Sequence, residues 1–177
     1  MKFFLNIGVI LSMFSFLFGC SSFGYQSPRY EQLADEITGK TAKKLKTQKG
    51  LFLIGIGGRM MDDIQVMKMS FEYYQEVDLK IGRELLVHVI NEYLSAINSN
   101  EEIKPHLHEY PFTAKNVTIS IFFSNPDRSK FPPGKIACIS SLKGTLTYYT
   151  YSNSNFLQAI HVESYEKAVQ EITLNNS

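Results

Sequence analysis

The chain has almost no excess of charge of either sign: its 177 residues carry 18 Lys and Arg against 17 Asp and Glu. That balance argues against a large basic surface for nucleic acid, which clustered cations would have to supply. Cysteine is scarce, present only as Cys20 and Cys138. Internal repeats and low-complexity tracts are absent, so a solenoid or a biased linker is not on offer. No long apolar run follows the first 19 residues, which excludes a multi-span membrane protein. What remains, at 44% hydrophobic and 20% charged, is ordinary globular composition rather than disorder or a collagen-like repeat. A chain of this length buries a full core as one domain.

Residues 1–19 form the exception to that composition. Lys2 is followed by an apolar stretch from Phe3 to Phe18 broken only by Asn6, Gly8 and two serines. A charged start, an apolar middle and a small final residue make a secretory signal, too short for a confident span. Its end reads Leu17-Phe18-Gly19-Cys20, then Ser21-Ser22. This resembles the lipobox of bacterial lipoproteins, with Phe18 standing where that pattern holds a small or β-branched residue. The resemblance implies cleavage before Cys20 and a diacylglycerol thioether on its sulfur. Two or three acyl chains hold a protein at a membrane where one does not. Residues 20–28 would then be the acylated cysteine and a short tether, reaching at most about 28 Å. Residues 29–177 would be the folded domain. With Cys20 acylated, Cys138 has no disulfide partner, and its apolar run Ile136–Ile139 argues for a packed thiol.

Along the domain, residues 28–47 read as a helix, with Ser27 as N-cap and Pro28 at its first position. Acidic residues come early in it and lysines late, which suits the helix dipole. The apolar run 51–56 reads as a buried strand ended by Gly57-Gly58, and a hairpin turn spans 57–64. Met67, Met69, Phe71 and Tyr73 alternate with Lys68, Ser70 and Glu72 as a half-exposed antiparallel strand. Asp78 caps a helix to about residue 98, facing the core through Gly82, Leu86, Val89, Ile90, Tyr93 and Ile97. Its Gly82 suggests a close approach to the sheet. A proline-bounded loop at 100–115 precedes strands at 117–123, 135–142 and 145–151, the last two joined at Lys143-Gly144. Residues 156–162 read as a last strand. A closing helix at 164–173, capped by Ser164, would turn Lys167, Ala168 and Val169 inward. Runs of strands rather than strict alternation predict an α+β fold: one mostly antiparallel sheet with helices on one face.

The segments Ile103-Lys104-Pro105-His106-Leu107, Tyr110-Pro111-Phe112-Thr113 and Glu163-Ser164-Tyr165-Glu166 resemble small lipoproteins of chlamydia-like intracellular bacteria. That resemblance implies no activity.

Candidate chemistry is sparse. Gly55-Ile56-Gly57-Gly58 lacks the Lys and Ser or Thr of a phosphate loop, and a strand rather than a helix follows. A glycine-permitted turn accounts for it. His106 and His108, with Glu109 beside them, are half of a tetrahedral metal site at best. Glu84 and His88 lie one helical turn apart, as a carboxylate orienting a base would, but also as an ordinary surface pair would. Asp62-Asp63 is a turn signal. Tyr73, Tyr74, Tyr148, Tyr149 and Tyr151 could line one sheet face, with Tyr148, Tyr149 and Tyr151 as its centre. The expectation is a non-enzymatic, lipid-anchored envelope protein without a cofactor or metal. It would bind a protein or polymer of the envelope through its sheet face or the 100–115 loop. The outer membrane is favoured over the inner. The alternative is a periplasmic hydrolase or metal-dependent enzyme using His106, His108 or His88 with Glu84.

Overall fold

The computed structural model describes residues 27–175. The signal segment 1–19, Cys20 and most of the tether lie outside the described residues. Among the described residues no helix is long and apolar enough to cross a membrane.

Among the described residues three helices and six strands make one α+β domain. Helix α1 (Arg29–Lys49) leads into strand β1 (Phe52–Arg59), which hairpins into β2 (Val66–Tyr73). Helix α2 (Leu79–Asn98) crosses over, and a 3-10 turn at Lys104–His106 precedes β3 (Val117–Phe123). Strands β4 (Ile136–Leu142), β5 (Thr145–Tyr151) and β6 (Leu157–Ser164) follow, and α3 (Tyr165–Asn175) closes the chain. The strands stand in sequence order, β1 to β6. Only β2 and β3 run parallel, since a helix rather than a tight turn joins them. Lys143 and Gly144 both adopt positive φ, at 51° and 78°, as a two-residue hairpin requires.

The helices cover one sheet face. Met67, Met69 and Phe71 of β2, Val117, Ile119 and Ile121 of β3, and Leu86, Val89, Ile90, Tyr93 and Ile97 of α2 are fully excluded from water. Helix α2 starts on Asp78, whose Oδ1 accepts from the Ile81 N–H at 2.8 Å. Helix α1 ends on Gly50 in the left-handed region, φ 71°.

Several local readings change. Pro28 itself occupies the N-cap position of α1 without a side-chain bond, because Ser27 lies one residue too early. The apolar run 51–56 is not a buried strand. Leu51 is buried, but β1 is an edge strand exposed along nearly its whole length, and it continues through Gly57-Gly58. A continuous apolar run looks the same whether it is covered on both faces or on neither. Gly82 packs beside Val77, Ile136 and Tyr148, yet a Cβ there would lie 3.6–3.9 Å from them; the helix approach does not demand glycine. In α3 only Ala168 is fully buried, with Val169 half-buried and Lys167 exposed.

Candidate functional site

Tyrosines on the strands sort by pleat, since successive side chains point to opposite faces. Tyr148 is opposite His161 and Ile139, under the helices and out of water. Tyr73 also faces that side, edge-on to Phe123 at 5.9 Å between ring centres. Tyr149 and Tyr151 face the other way. A face built from Tyr148, Tyr149 and Tyr151 together therefore does not exist; Tyr148 belongs to the core.

The helix-free face carries two cross-strand rows. Pairing places Gly55, Ser70, Ser120, Ser140, Thr147 and Val162 in one row. The next row runs Phe52, Glu72, Phe122, Cys138, Tyr149 and Ala159. Four adjacent hydroxyl residues thus lie beside a row holding three aromatic rings. Phe52 is capped by Tyr74, ring centres 5.3 Å apart, and Lys130 Nζ lies 4.5 Å over the Tyr151 ring. Cys138 sits between Phe122 and Tyr149 and is buried, though on this face rather than beneath the helices. Burial pushes its thiol up to about 12, so at neutral pH it is protonated and inert.

The histidines do not converge. His108 Nδ1 pairs with Asp63 Oδ2 at 2.6 Å, tying the 100–115 loop to the β1–β2 turn. Backbone bonds reinforce the tie, from Ile64 N to His106 O and from His108 N to Ile64 O, both 2.8 Å. The bond from His108 holds the Asp63 carboxyl below its ordinary range. His106 instead lies against the Tyr30 ring at 5.9 Å. On α2, His88 makes no bond to Glu84; its Nε2 is buried without a hydrogen-bond partner. Burial first, then the charge of Lys49, lowers its pKa. Glu92 goes to Lys44 of α1 at 2.5 Å. Among the described residues no three His, Cys, Asp or Glu side chains gather into a group that could hold a metal ion.

Among the described residues the one buried ionic network joins Arg83 and Glu163, a pair that sequence reasoning passed over, and it takes in Tyr148, expected on a binding face. Arg83 of α2 donates through Nε and Nη2 to the two oxygens of Glu163 of β6, at 2.8 and 3.1 Å. The Tyr148 hydroxyl donates to Glu163 Oε1 at 2.7 Å. His161 Nε2 approaches Oε2 at 3.4 Å without hydrogen-bond geometry. The Glu163 side chain is wholly excluded from water. This network clamps strand β6 to α2; a fully occupied carboxylate has little left to offer a substrate. Its sequence signal is faint: Arg83 sits on the apolar stripe of α2, where a charge needs a partner.

No family model, curated protein or solved structure matches this chain, so the arrangement of its own residues carries the functional reading.

Proposed function

We propose that this is a lipid-anchored envelope protein without catalytic activity, which binds a protein or polymer partner through the helix-free sheet face. The observation that carries the reading is that face itself: four hydroxyl residues flanked by Phe52, Phe122 and Tyr149, left uncovered among the described residues, whose helices all pack on the other side. Aromatic rings beside hydroxyls give large contact area at low conformational cost together with hydrogen bonds of adjustable direction. Anchoring at Cys20 would hold the face close to the bilayer. A hydrolase reading finds less support, because the His108–Asp63 pair has no nucleophile bonded to it and His88 and His106 lie apart from it.

The test uses intact bacterial envelopes. A photo-crosslinking side chain placed at Tyr149 should give one discrete adduct, and the same group at Lys40 on exposed α1 should give none. Cys20→Ala should accumulate as precursor, lose fatty-acid labelling and lose the adduct. Adducts from both positions, or from neither, would overturn the face assignment; normal labelling of Cys20→Ala would overturn the anchor.

A further inference from the structure

Strand β1 presents an edge that few monomeric proteins leave open. One side pairs with β2 and, among the described residues, the other has no strand beside it. From Phe52 to Gly58 there is no charge and no proline. Phe52, Leu53, Ile54 and Ile56 are 38–54% exposed. A single bulge lies at the Leu53/Gly55 step, and Gly55 to Arg59 then runs in unbroken register. Exposed edges are usually blunted by lysine or proline, because their free N–H and C=O groups are a template for another strand.

The flanking charges say which strand fits. The N-terminal half of α1 lies beside the far end of β1: Glu31 and Asp35 border a groove with Gly57 and Gly58, and Tyr30 donates to the Met60 and Met61 carbonyls. The C-terminal end of α1 lies beside the near end, where Lys46 Nζ sits 5.2 Å over the Phe52 ring and Lys49 is exposed. Arg59, exposed at the far end, offsets one of the two carboxylates, so the edge is net acidic at one end and basic at the other. Eight residues of strand separate those ends by roughly 26 Å, well beyond the Debye length of about 8 Å at physiological salt, so within one copy they do not neutralise each other.

We propose that β1 pairs antiparallel with β1 of a second copy of this chain, forming a twofold-symmetric dimer with a continuous twelve-stranded sheet. Antiparallel pairing sets the acidic end of each copy against the basic end of the other, so one complementary contact is made twice, as an isologous interface requires. An anionic bilayer fits the same edge less well. It would attract Lys46 and Lys49 but repel Glu31 and Asp35, and it offers no partners for a row of backbone groups. This inference stands apart from the partner-binding face, because the edge could pair whether or not that face is used.

Sedimentation of the full chain in density-matched detergent tests it. The wild type should contain two copies of the chain, and Ile54→Lys one, at least tenfold weaker in association. Lys46→Glu/Lys49→Glu makes both ends of the edge net acidic, and Glu31→Lys/Asp35→Lys makes both ends basic. Each should be a single copy alone, and the two mixed should form a heterodimer. A single-copy wild type, or a dimer that survives Ile54→Lys, overturns the proposal. So does an open-ended series of larger species, the signature of β1 pairing with β6. A single-copy wild type that binds anionic vesicles through Lys46 and Lys49 would assign the edge to lipid instead.

Discussion

Glu163 takes Arg83 and Tyr148 on its two oxygens with its side chain wholly out of water. Burial alone would raise its pKa, but Arg83, Tyr148 and His161 outweigh burial and hold it below the ordinary glutamate range. A carboxylate whose folded pKa is depressed binds fewer protons folded than unfolded in that window. Its stabilisation is therefore complete above the unfolded value and is lost as pH falls toward the folded one. Glu163→Gln leaves the Arg83 guanidinium buried without its counter-ion, which should cost about 3–5 kcal/mol in urea unfolding at pH 7. It should also flatten the loss of stability below about pH 4.5. An unchanged acid limb would assign that limb to another carboxylate. Neither partner was legible in the sequence, because 80 residues separate them and local patterning carries no information about such a pair. Cys138 was legible as a buried thiol, yet not its place on the helix-free face; a bulge between Ile136 and Cys138 shifts the register there.

Helix α2 shows an element read well from its pattern alone. Asp78 caps it, and Leu86, Val89, Tyr93 and Ile97 are fully buried. A 20-residue helix repeats its stripe over more than five turns, so chance alternatives are suppressed. Leu86→Ala should cost about 2–5 kcal/mol in chemical denaturation. Ile81→Ala, at a position 50% exposed, should change stability by less than about 0.5 kcal/mol. Equal losses at the two positions would mean that the wrong face has been placed inward. Strand β1 is the opposite case: the apolar run 51–56 reads as interior, whereas Ile54 and Ile56 are about half exposed. Short apolar runs record that a strand forms, not how many of its sides are covered.

At the scale of the whole molecule, one core runs from Leu33 of α1 through the sheet to Ala168 of α3, and a domain of this length gains enough from such burial to fold without a staple. Melting of the full chain should therefore be the same with and without a strong chelator. A chelator-dependent fall in melting temperature, abolished by His106→Ala/His108→Ala, would reveal a structural metal. Composition and periodicity by themselves determined the fold class, the helix and strand types and the core stripe of α2, since each depends on residues within a few turns of one another. The tertiary structure alone decided that β1 is an open edge, that Tyr148 and Tyr149 lie on opposite faces, and that Arg83 meets Glu163. Those outcomes depend on which segments become neighbours. Strand order, pleat phase and bulges set that across dozens of residues, where local preference has no reach.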